Sequence, residues 1–85
     1  MPEISRFYGI TIAMFYSEHG LPHFHAEHGG RRISVESDTG LVRGEFPPAA
    51  RRLDLDWLAM HRRELSDNWQ RARLQQVLIP IAPLE

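Results

Sequence analysis

Cysteine and lysine are both absent from these 85 residues, and each absence excludes something. Without cysteine there are no disulfides, no thiolate zinc sites and no thiol nucleophiles, so a metal would have to be held by imidazole and carboxylate. Without lysine, all ten side-chain cations are arginine, the residue of bidentate carboxylate and phosphate contacts. An excess of one charge is missing too. Ten cations against eleven acidic residues give no general pull toward nucleic acid, which leaves only a local basic patch to consider. No apolar run approaches the ~20 residues of a membrane span, and Met1-Pro2-Glu3-Ile4 lacks the basic and apolar regions of a signal peptide. The expected location is therefore the cytoplasm of a bacterium, away from any membrane. No Gly-rich phosphate loop is present, and Ser5, Ser17, Ser34, Ser37 and Ser66 lie in no elbow context, so neither phosphate cradling nor a nucleophilic triad is indicated.

What the chain does have is histidine. Four of its five histidines fall between His19 and His28, and the rest of the sequence reads as a frame for them. The length predicts one domain, 1–85, that buries about 60–65% of the surface of its unfolded form, hence a small and sensitive core.

The residues from Phe7 to Tyr16 are β-branched and aromatic, with Tyr8, Ile10, Ile12, Met14 and Tyr16 on one face, and predict a strand. The opposite face is only partly polar, so part of it should be covered. Ser17 to Pro22 contains Gly20 and Pro22 and reads as a turn. His23 to His28 alternates again, and Gly29-Gly30 is a two-residue hairpin signal, since both positions of a type I′ turn need positive φ. Pairing His28 with Arg31 sets Ala26 against Ile33 and Phe24 against Val35 on one face. On the other face His25 meets Ser34, His23 meets Glu36 and Glu27 meets Arg32; a one-residue slip would scatter the apolar set. Ser37 to Gly40 is a second turn, and Leu41 to Phe46 a short fourth strand.

Pro47-Pro48 suits a helix start. An apolar arc of Ala50, Leu53, Trp57, Leu58, Met60, His61, Leu65, Trp69 and Ala72 predicts one long helix over about 48–76. A break near 66–68 is the alternative, because Ser66 and Asp67 are good N-caps. Val77 to Leu84, with Pro80 and Pro83, should be an extended tail that docks. The fold class expected is α+β: a four-stranded antiparallel sheet from about 7 to 46, packed on one long C-terminal helix.

Neutral imidazole is a good ligand for zinc and other divalent transition metals, and His23 and His25 stand about 6.5–7 Å apart along one strand face. They are the leading pair. The candidates for a third ligand are Glu36 across the hairpin, His19 in the turn and His28 at the strand end. Glu18, Glu27 and Glu36 suit a general base if a metal-bound water exists. The plainer reading leaves His23 and His25 solvated or paired with Glu36 and Glu27. His61, in the middle of the helix arc, reads as a core residue with one hydrogen bond, across the sheet from the other histidines. The helix arginines Arg51, Arg52, Arg62, Arg63, Arg71 and Arg73 alternate with Asp54, Asp56, Glu64 and Asp67, which predicts a solvated, ion-paired face.

Several segments carry a resemblance. Pro2-Glu3-Ile4-Ser5-Arg6-Phe7-Tyr8-Gly9-Ile10, Pro22-His23-Phe24-His25, Gly44-Glu45-Phe46-Pro47-Pro48, and Trp57, His61, Glu64-Leu65, Asn68-Trp69 and Ala72 are similar to a family of small bacterial proteins catalogued as a domain of unknown function. There the histidine segment usually reads Pro-Pro-His-Phe-His, and Leu21 stands here in place of the first proline. The resemblance implies a component of compact two-gene modules resembling toxin–antitoxin pairs, and brings no catalytic residues with it. Together these readings predict a non-enzymatic binding or regulatory module that acts through a small protein partner or a second copy of itself. The alternative is a small metal-dependent hydrolase or nuclease using the same histidines.

Overall fold

The computed structural model describes residues 2–85. Five strands form one antiparallel meander: β1 (Glu3–Phe7), β2 (Ile10–Ala13), β3 (His23–His28), β4 (Arg31–Glu36) and β5 (Val42–Arg43), in the order β1-β2-β3-β4-β5. One helix, α1 (Pro48–Arg73), follows. The α+β class is as the sequence implies, but the first predicted strand is really a hairpin. Tyr8 (φ 49°) and Gly9 (φ 78°) both take the left-handed region, the backbone of a two-residue reverse turn, so Phe7 pairs with Ile10 and Arg6 with Thr11. Tyr8 is therefore exposed at the turn and not part of the apolar face.

The β3–β4 hairpin has the register read from its alternation, from His23 opposite Glu36 to His28 opposite Arg31. Ile12 lies beside Ala26, and Ala13 beside His25. One sheet face thus carries Ile12, Phe24, Ala26, Ile33 and Val35, all buried. The helix covers that face through Trp57, whose ring lies 5.6 Å from Phe24 and 5.5 Å from Phe7. Trp57 and Trp69 are both buried.

The helix runs from Pro48 to Arg73 with a kink at His61 (φ −128°, ψ 25°), and not at 66–68. His61 is buried, as expected, and its Nδ1 lies 2.6 Å from Glu64 Oε1. Its ring packs against Trp57 in a tilted arrangement, centroids 5.4 Å apart. Three residues depart from the predicted stripe: Met60 is exposed, while Asp54 and Asn68 are buried. Asn68 is explained by the tail, since its side chain donates to Ile79 O and accepts from Ile79 N, both at 2.8 Å. Trp57 Nε1 donates to Ala82 O, and Ile81 N donates to Ile4 O, so the tail lies between the helix and β1. The ion-paired helix face is not found: among the described residues no helix arginine lies within 4.0 Å of a carboxylate. Arg62 instead donates to the carbonyls of Ser37 and Asp38. No helix is long and apolar enough to cross a membrane.

Candidate metal centre

The outer face of β3 is covered by the connection from β2, residues 14–22, so the imidazoles are not solvated. The side chains of His23 and His25 are only 14% and 17% exposed. Phe15 packs edge-on against His25 at 4.9 Å, and the Arg32 guanidinium lies over Phe15. His23, where the sheet ends, also meets the helix, its ring 5.1 Å from that of Trp69.

The connection turns at Gly20 (φ 92°) and carries Glu18 back over the two histidines. His25 Nε2 lies 2.7 Å from Glu18 Oε1, and His23 Nε2 3.4 Å from Glu18 Oε2. One donor atom from each of Glu18, His23 and His25 lies within 4.8 Å of the others, the one such group of three among the described residues. Burial by itself raises the Glu18 carboxyl, but the hydrogen bond from His25 and the electrostatic pull of His25 and His23 outweigh it. The net shift is below the ordinary carboxylate value.

The tautomer of His23 is fixed by its other nitrogen. Nδ1 lies 2.8 Å from Leu21 O; a carbonyl only accepts, so Nδ1 carries a proton and donates it. Backbone anchoring of this kind is what orients imidazoles that ligate metals through the remaining nitrogen. In the neutral ring, Nε2 then presents a lone pair to a carboxylate oxygen 3.4 Å away. A nitrogen and a carboxylate oxygen so placed can share a cation between them, either a proton or a metal ion.

The other predicted ligands stand apart. Glu36 faces His23 across the hairpin, but its Oε1 accepts from the Thr39 hydroxyl at 3.0 Å and its Oε2 lies 3.5 Å from Arg43. His28 bonds Gly9 O at 3.1 Å through Nδ1 and packs on Phe46. His19 is exposed and lines a cleft of about 340 Å³ with Leu21, His23, Ser34, Glu36 and Arg43. His61 lies in the helix, outside the cluster. The residue the sequence reading undervalued is Glu18, considered there only as a general base. The available signal was its place just before a Gly–Pro turn, which returns it over the strand that follows.

A family model for a domain of unknown function, DUF4160, matches residues 9–70. The chain belongs to the DUF4160 family. Within that match lie Glu18, His23 and His25, both strands of the central hairpin and most of the helix, so the family's domain contains the whole cluster. Searches of curated proteins and of solved structures found no match.

Proposed function

We propose that this DUF4160 chain is a small regulatory binding module that acts through a protein partner, in the manner of a toxin–antitoxin component. In this reading its β2–β3 connection is fastened to the sheet by a divalent transition metal on Glu18, His23 and His25. The observation that carries the reading is the convergence of one donor atom each from Glu18, His23 and His25 within 4.8 Å of one another, with His23 Nδ1 already committed to Leu21 O. Two imidazoles and one carboxylate are a donor set used for zinc, and for ferrous iron where coordination positions stay open. Bound there, the ion would supply a cross-link between the connection and β3.

Calorimetric titration of the metal-free protein with zinc, nickel and copper at neutral pH tests this. The expected result is saturable binding that is lost in the double variant His23→Ala/His25→Ala and retained in His61→Ala. Zinc at 100 times its Kd should stabilise the fold by about 2.7 kcal/mol through mass action. No heat of binding with any of the three would leave a proton as the shared cation and end the metal reading. A second reading, a metal-dependent hydrolase or nuclease, draws on the cleft that His23 shares with Glu36 and Arg43. It requires metal-dependent turnover of a phosphodiester or ester that disappears with the same double variant.

A further inference from the structure

Three protein donors leave a tetrahedral ion one position short, and that position decides between a closed structural site and an open catalytic one. Two clefts flank the cluster. The first, about 340 Å³, is walled by His23; the second, about 330 Å³, lies between residues 16–19 and the end of the helix and is walled by Glu18. His19 lines both. It thus stands where the two clefts meet, beside one ligand in sequence and across from another in space.

His19 is also uncommitted and exposed. Among the described residues its ring makes no hydrogen bond, in contrast to His23, His25, His28 and His61. The next residue, Gly20, has φ 92° and nothing within 4 Å of the place a Cβ would occupy. The turn bearing His19 is therefore unobstructed on that side, so a backbone rotation at Gly20 meets no neighbour there.

We infer that His19 is the fourth ligand: when the Glu18–His23–His25 centre binds its ion, the turn swings His19 in and closes the site as a His₃Glu centre. The inference rests on the metal reading above and gives it a consequence. A closed site excludes substrate from the metal, and it makes the conformation of residues 17–22 report whether metal is bound. The surface offered to a partner beside the first cleft then changes with metal loading.

The test uses the full chain and cobalt(II) as the probe, because four-coordinate cobalt(II) absorbs visible light far more strongly than the five- or six-coordinate ion. The wild-type complex should show the intense four-coordinate spectrum. In His19→Ala the visible intensity should fall several-fold, and the Kd for zinc should rise by about 100-fold, since losing even a residue that only orients a ligand costs roughly 10–100-fold. The melting temperature of the metal-free protein should not move, because His19 is exposed. His28→Gln, a histidine outside the cluster, should leave both metal readouts unchanged. An unchanged spectrum and affinity in His19→Ala would overturn the inference while leaving the three-residue centre standing. Failure of the wild-type chain to bind zinc or cobalt would overturn both.

Discussion

The two sides of the sheet each hold a carboxylate, half-buried on one and fully buried on the other, and they treat it in opposite ways. On the outer side Glu18 lies against two imidazoles, and its pKa is lowered. On the inner side Asp54, in the helix, is wholly buried with neither oxygen hydrogen-bonded. Burial alone pushes its carboxyl up to about 7. The same functional group is kept ionised on one side and driven toward its neutral form on the other. The difference lies in the partners and in the depth of burial: Glu18 is partly exposed beside two imidazoles, whereas Asp54 is fully buried with no partner for its oxygens. It marks the outer side as the one arranged around charge and the inner side as the one arranged around packing.

The sharpest way to break that division is on β3 itself, where adjacent residues face opposite ways. Phe24→Ala should cost about 3–5 kcal/mol, enough to unfold much of so small a domain, because it empties the space against Trp57. His23→Ala should cost far less in the absence of metal. Urea denaturation of both variants checks this, and equal losses would erase the distinction between the faces.

Asp54 gives the next largest effect. A group whose folded pKa is raised contributes fully below its unfolded pKa, near 3.8, and loses that contribution as pH rises toward about 7. Relative to Asp54→Asn, the wild-type protein should therefore lose up to roughly 4 kcal/mol between about pH 4 and pH 7. The variant should be the more stable one at pH 8. Parallel stability curves for the two proteins would show that Asp54 is solvated or paired in solution.

The smallest effect belongs to Glu18→Gln, and its sign is reversed. Here the folded pKa is lowered, so the wild-type advantage is present above the ordinary value of 4.5 and is lost as pH falls below it. Loss of a charge-assisted hydrogen bond in a partly exposed place should cost about 1 kcal/mol without metal. Thermal melts at pH 7 and pH 3 measure it; a penalty that grows on acidification would contradict the assignment.

The division between the faces was legible in the sequence wherever side-chain period and turn chemistry agreed. In β3–β4, four apolar residues and Gly29-Gly30 admit one register, and that register is found. Tyr8-Gly9 went unseen because a non-glycine residue takes the first left-handed position, inside a run whose composition favours strand. Asp54 sits in the middle of the arc set by Ala50, Trp57, His61, Leu65 and Ala72, so its burial was implied by angle but masked by residue type. The kink at His61 has no proline or glycine to announce it. Glu18 escaped for another reason: the chain's path through residues 14–22 is irregular, and no periodicity says where an irregular segment places its side chains.

The edges of the sheet carry one more consequence. At one edge β1 is interrupted by a bulge between Glu3 and Ser5 and is met by the tail at Ile4. At the other, β5 has two residues, and Gly44 runs on so close to β4 that a Cβ there would lie 3.1 Å from Arg32 O. Both edges are thus short or interrupted, which makes each a poor ladder for a strand added from another chain. Side chains and shape are then the better handles for recognition, and a match made through them can be spoiled by a single substitution.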